Sequence, residues 1–265
     1  MNVEGKYIYG IMDTMEEKEY PIKGIGNNGN VVHSLVYKDT TALVSDTLVK
    51  EYPVSRENTL IHMKVIENFM EEQTVLPVKF GTVAVGNDSR SSGERIKKEV
   101  LKERYSEIKD LLDRLQNKVE LGLKAVWINM DLIFQEIIAE NKEIQKLKQK
   151  ISSKGFNQSY KERIKLGTFL KNTLDEKRHA EEKGIIRAFN ELYCELRLNK
   201  TFGDKMITNT SFLVEKNRVK DFDKKIKKFA SVNKERMRFT YVGPVPPCNF
   251  VELVIELKEG KSGID

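Results

Sequence analysis

The stretch Arg236–Val251 restricts this chain's fold more than any other. Met237, Phe239 and Tyr241 alternate with Arg236, Arg238 and Thr240, the period-two pattern of a strand with one buried face. The strand then meets Gly243-Pro244 and Pro246-Pro247. Three prolines in four residues remove three backbone donors and hold φ at about −65°. The spacing therefore predicts a stiff, extended exit from the sheet after Val242. Phe250 and Val251 resume apolar character at once. Two roles suit such a segment: a strand terminator packed on its own domain, or a rigid piece docked on a partner.

At 265 residues the chain has room for one large domain or two ordinary ones. Charged residues make up 32% of it and apolar ones 39%, so its cores must be economical and its surface heavily solvated. The N-terminus shows no apolar h-region, which predicts no secretory signal. No apolar run approaches the roughly 18 residues of a membrane span. Cys194 and Cys248 stand far apart and form no metal-binding spacing. A reduced, cytoplasmic chain is the expectation. Acidic residues slightly outnumber basic ones through Lys118, so the net charge of +6 belongs to the second half. Such an excess marks either nucleic acid, an acidic protein surface, or simply a solvated helix face.

The pattern along the chain predicts an α+β fold of two domains, residues 1–118 and 119–265. Residues 6–12 read as a strand. Gly24-Ile25-Gly26-Asn27-Asn28-Gly29 matches G-x-G-x-x-G, but a dinucleotide site needs a helix after it. Val31–Tyr37 follows instead and reads as a strand, so the glycines predict a turn. Lys38–Thr41 then suggests a hairpin. Ser55 and Asn58 offer caps to a helix whose stripe is Ile61, Val65 and Phe69. His62 beside that stripe reads as a boundary residue. Val75–Val83 predicts one short strand with Leu76-Pro77 at an edge or start. A charged helical segment from Glu94 to Asn117 follows.

The second half opens on an alternating strand that ends at Trp127-Ile128. Asn129 or Asp131 caps the next helix, and Ser152-Ser153-Lys154-Gly155 breaks it. A long helical segment is expected from Tyr160 to Asn199, with Leu192 and Leu196 among its apolar positions. Its middle, Asp175–Lys183, nearly lacks apolar residues and is predicted to project into solvent or onto a partner. Ile207–Val214 reads as a strand, and Val219, Phe222, Ile226 and Phe229 form one helical stripe. The order β-α-α-β-α-β predicts a modified ferredoxin-like domain with a long helical insertion. Phe250–Leu257 suits either helix or strand.

No motif for catalysis stands out: there is no G-x-S-x-G, Walker A or H-E-x-x-H. His33, His62 and His179 are far apart in sequence. His179 lies on a charged helix face, and Cys194 beside Leu192 reads as a small core residue. No cofactor, metal, small-molecule substrate or enzymatic activity is expected. Lys224, Lys225, Lys227 and Lys228 lie between Phe222 and Phe229, a pattern that suits single-stranded nucleic acid. Both phenylalanines also fall on the apolar stripe, which makes them core and the lysines its wet face. A nucleotide- or nucleic-acid-binding module using the basic second half is the alternative function.

Phe239-Thr240-Tyr241-Val242-Gly243-Pro244-Val245-Pro246-Pro247-Cys248-Asn249-Phe250-Val251 resembles the closing motif of the gas vesicle protein F/L family. Val75-Leu76-Pro77-Val78-Lys79-Phe80-Gly81-Thr82-Val83 and Lys6-Tyr7-Ile8-Tyr9-Gly10-Ile11 add two further matches in the family's order. Val245 and Cys248 stand where the family pattern carries bulkier aromatic residues. The resemblance implies an accessory or minor structural protein of gas vesicle formation, located in the cytoplasm and the gas vesicle. It implies binding to the small, apolar major gas vesicle shell protein, with no nucleic acid or membrane as partner. An edge strand or apolar groove would supply such binding. The residues it points to are Leu76, Pro77, Phe80, Tyr241, Gly243, Pro244, Pro246, Pro247 and Phe250. Tyr241 and Phe250 are expected to anchor the proline segment against the second domain.

Overall fold

The computed structural model describes residues 4–26, 30–153, 159–251, 253–255 and 257. The fold is mixed α+β, with two sheets and a separate hydrophobic core on each. The chain divides into one unit formed by Met1–Glu120 with Pro244–Asp265, and a second formed by Leu121–Gly243. The sequence reading kept everything after Lys118 together. The returning residues group with the first unit because their partners lie there: Arg114 Nη2 donates to the Phe250 carbonyl at 3.2 Å, and Glu120 receives Asn249.

In the first unit, β1 (Gly5–Met12) is the central strand. After it come β2 (Glu19–Lys23), β3 (Val31–Tyr37), β4 (Thr40–Thr47), α1 (Arg56–Met70), β5 (Val75–Pro77) and β6 (Val83–Val85). The strand order is β2-β3-β4-β1-β5, with β6 also on β1. β1 buries every residue but Lys6, because it has neighbours on both edges and a helix over its face. α1 starts where expected: the Ser55 hydroxyl accepts from the Asn58 amide at 3.1 Å. Val65, Ile66 and Phe69 pack in one cluster with Tyr7, Tyr9 and Met12. The short helix α2 (Ser92–Arg95) begins with a Ser91–Glu94 capping box and runs into a π-helical stretch, Ile96–Lys102. α3 (Tyr105–Leu115) completes this helical segment.

Several expectations change here. Val75–Val83 is not one strand but two, paired to different parts of β1 and separated by Val78–Thr82. β2 went unread because it is polar and carries Pro21; it is tolerated as the end strand of the sheet. Asn27, Asn28 and Gly29 lie outside the described residues. The elements on either side, β2 and β3, pair antiparallel, and no helix opens there. His62 is buried rather than at a boundary.

The second sheet begins with β7 (Lys118–Trp127), within which the division between units falls. Then come α4 (Met130–Glu140), α5 (Lys142–Ser152), α6 (Tyr160–Ala188), β8 (Glu195–Leu198), β9 (Met206–Glu215), α7 (Val219–Val232) and β10 (Met237–Val245). The strand order is β10-β7-β9-β8. With α4–α6 in the first crossover, this is the β-α-β-β-α-β succession of a ferredoxin-like unit with a helical insertion. Trp127, Phe189, Phe212 and Phe222 are fully buried in its core, and the Phe189 and Phe222 rings stack at 4.7 Å.

The long helix stops at Ala188, not near Asn199. Leu192 and Leu196 share helical spacing, but Glu195–Leu198 pairs antiparallel with β9. Tertiary pairing overrides the local period there. Cys194 is exposed, not core, with its amide donating to the Leu213 carbonyl at 2.8 Å. The helix before it breaks at Asn141, whose side chain caps α5 by accepting from the Glu143 and Ile144 amides. The expected break at Lys154-Gly155 lies outside the described residues. β10 runs on to Val245, so Pro244 stands inside an end strand rather than beyond it.

Candidate functional site

The Val75–Val83 motif is a crossover held from beneath. Leu76 and Pro77 are buried in β5, and Val78 is buried just after them. Gly10 makes the pairing possible: a Cβ there would lie 2.9 Å from the Leu76 carbonyl oxygen. Gly81 turns the chain at φ 86°, a conformation costly for any residue with a side chain. Its amide donates to the Tyr7 hydroxyl at 3.0 Å. That hydroxyl in turn lies 3.0 Å from His62 Nδ1, and His62 is also hydrogen-bonded to the Val78 backbone. A proton on Nε2 satisfies the whole chain: Nε2 donates to the Val78 carbonyl, and Tyr7 donates to Nδ1. Burial lowers the His62 pKa to about 4, so the ring is neutral at pH 7. Burial also raises the Tyr7 pKa. Phe80 is half-buried and meets Tyr7 and His62 edge-on.

The closing motif splits in two. In the second unit, Tyr241 is half-buried on β10, stacks on Phe222 at 5.9 Å and donates its hydroxyl to Asp223 at 2.7 Å. Burial, then that hydrogen bond, raises its pKa. Arg238, Thr240 and Val242 face outward, and Val242 is 53% exposed. Gly243 is exposed as well. β10 is the terminal strand of the sheet order, so this outward row lies along an edge. In the first unit, Pro244 is exposed whereas Pro246, Pro247 and Phe250 are buried. Two hydrogen bonds fix the segment: Asn249 donates from its amide and its side chain to the two oxygens of buried Glu120, at 3.0 and 2.5 Å. Phe250 therefore anchors in the first unit, against expectation, while Tyr241 anchors in the second.

Of the nine expected contact residues, Leu76, Pro77, Pro246, Pro247 and Phe250 are thus internal. Phe80 and Tyr241 show part of a ring, and Gly243 and Pro244 are open. Tyr7, His62 and Glu120 support these motifs; the sequence placed Tyr7 in the opening match and His62 at a helix boundary but showed no sign of their partners, which are distant in sequence. The middle of α6 also differs from expectation. Arg236 grips Glu136 of α4 with two bonds, 2.6 and 2.9 Å, and reaches Glu181 of α6 at 2.6 Å. Trp127 Nε1 donates to the other Glu181 oxygen at 2.6 Å. Lys177 lies 3.2 Å from Glu136 and from Glu140. These charges pair with one another inside the second unit instead of projecting from it. Among the described residues, no group of three or more His, Cys, Asp or Glu could hold a metal ion, and no helix is long and apolar enough to cross a membrane.

The architecture is that of a two-unit α+β protein with one ferredoxin-like sheet. The gas vesicle synthesis protein GvpL/GvpF family model matches residues 5–252, and the chain belongs to this family. Gas vesicle protein F of Dolichospermum flosaquae is 23% identical over 93% of this chain and 97% of its own length. Gas vesicle protein F1 of Halobacterium salinarum is 24% identical, over 98% and 99%. The crystal structure of GvpF from Anabaena sp. PCC7120 shares the fold with a TM-score of 0.79 at 22% identity, covering 95% of this chain and all of that one. GvpF from Microcystis aeruginosa gives 0.76 at 23% identity, covering 94% and 99%.

Proposed function

We propose that this chain is a non-catalytic assembly factor that binds the major gas vesicle shell protein, in the cytoplasm and at the growing vesicle. The observation that carries this reading is family membership across residues 5–252. A small apolar shell protein needs its surface covered until it joins the wall, and an edge strand can hold it by main-chain pairing. Of the expected contact residues Gly243 and Pro244 are the open ones, and they follow directly on the exposed positions of the terminal strand β10. Thr240 and Val242 are among those positions. The buried residues, Leu76, Pro77, Pro246, Pro247 and Phe250, act by holding their segments in shape. The nucleotide- or nucleic-acid-binding alternative loses its stacking rings: Phe222 is fully buried, and Phe229 packs against the same core.

The test is capture of purified shell protein by the full chain and by Val242→Lys. A lysine on an edge strand discourages pairing without disturbing the core. Capture should fall about tenfold, the effect of losing roughly 1.4 kcal/mol, while the melting temperature stays put. Undiminished capture by a folded Val242→Lys protein removes β10 from the interface. Failure of the wild-type chain to capture shell protein overturns the functional reading itself.

A further inference from the structure

A second surface of the second unit is formed by the end of α6 with the residues just after it, and by α7. Arg187, Ala188, Asn190, Glu191 and Leu192 form one wall of an open cleft of about 670 Å³; Asp221, Lys224, Lys225 and Lys228 form the other. Four cations face two carboxylates. Among the described residues, none of Arg187, Lys224, Lys225 and Lys228 forms an ion pair. Other exposed lysines of the unit, Lys142 and Lys146 among them, form no ion pair with the described residues either; what sets the cleft apart is that it gathers four cations on two facing walls. α7 also sets Lys220, Lys224 and Lys228 four residues apart on one side. Like charges at that spacing repel and weaken a helix unless something neutralises them.

We infer that this cleft receives an acidic polypeptide segment of a protein partner, its carboxylates on the lysines and an apolar side chain on Ala188 and Leu192. Charge complementarity selects the class of ligand. A small free anion is a poor match, since the cations are solvent-exposed and each attracts weakly in water. A segment that engages several at once gains from their number. Single-stranded nucleic acid is disfavoured because Phe222 and Phe229 point to the core and leave the lysines without a stacking ring. The inference does not depend on the shell-protein reading, which concerns β10.

The experiment is fluorescence anisotropy on the full chain with a labelled peptide of Glu and Leu, its Lys-and-Leu counterpart, and a single-stranded oligonucleotide. Lys224→Glu with Lys228→Glu alters the cleft. Lys142→Glu with Lys146→Glu on α5 makes the same change in net charge on exposed residues that do not line it. The cleft variant makes the 220–224 pair attractive but leaves the 224–228 pair like-charged and sets a carboxylate three residues after Asp221, so its melting curve is recorded beside its binding and the comparison is made at a temperature where both variants are folded. The acidic peptide should bind the parent and the α5 variant alike and bind the cleft variant about tenfold more weakly, with affinity falling as salt rises. Absence of acidic-peptide binding, equal loss in both variants, or tighter binding of the oligonucleotide overturns the proposal.

Discussion

With Nδ1 3.0 Å from the Tyr7 hydroxyl and its ring buried, His62 stays neutral where a free histidine begins to protonate. Burial holds its pKa at about 4, against 6.5 for a free histidine. The unfolded chain therefore takes up a proton first as pH falls. The stability contributed by neutral His62 is fully present above about pH 6.5 and is lost progressively toward pH 4. The whole difference corresponds to about 3 kcal/mol at most. Urea unfolding at pH 7.5 and pH 5 should show a smaller pH loss in His62→Gln than in the parent; equal losses would place the sensitivity elsewhere. Phe250 is the other residue with a large expected effect. Its ring is fully buried, so Phe250→Ala should lower stability by about 3 kcal/mol or more. Pro246→Ala with Pro247→Ala should cost less, acting largely through a freer unfolded chain. Chemical denaturation of both variants gives the order directly.

The elements of the second unit are joined by the Arg236 cluster as well as by apolar packing. One guanidinium links α4 and α6 at the start of β10, and Glu136 holds its pKa up. Arg236 in turn keeps the Glu136 pKa below the usual carboxylate range. Arg236→Met should destabilise by roughly 2 kcal/mol, since it takes the guanidinium from two partly buried carboxylates and leaves Glu136 with Lys177 and Glu181 with Trp127 alone. Glu140→Gln, at an exposed position, should stay within about 0.5 kcal/mol. A urea midpoint that moves equally in both would refute the distinction. This cluster also marks where reading the sequence stops. Asp175–Lys183 looks like a solvated stretch because composition reports charge and not its partners, and Arg236 lies 55 residues from Glu181. β7 and the first part of β10 were legible because one face of each alternates at period two, and β9 because Phe212-Leu213-Val214 closes a run rich in β-branched residues. β8 is only four residues long and follows a helix with compatible spacing, so no local signal separates them. The proline segment was expected to leave the sheet extended after Val242; the strand instead continues to Val245, and the chain turns at Pro247 into a 3-10 turn, Cys248–Phe250, that buries Phe250. Its destination was not legible, because Glu120 and Arg114 lie 129 and 136 residues before their partners.

For the molecule as a whole, the second unit is an insertion into the first. It leaves on β7 and returns on β10, neighbours in one sheet. A Cβ at Gly122 would lie 3.8 Å from the Val242 carbonyl, so both ends of the insertion sit side by side. A fragment of residues 121–243 should fold alone, with its own core and strand order. A fragment of residues 119–265 should fold to the same extent but leave Phe250 without its seat. Circular dichroism and denaturation of both fragments check this; an unfolded 121–243 chain would show that the insertion needs its host. The arrangement has a consequence for synthesis. A ribosome delivers the first unit's strands and helices early, then spends more than a hundred residues on the insertion before the piece that caps Glu120 emerges. Until then, the nascent protein holds a finished insertion and a host that still lacks the residues from Pro244 on. Any partner that recognises the completed host can therefore tell a chain that has reached Phe250 from one cut short of it.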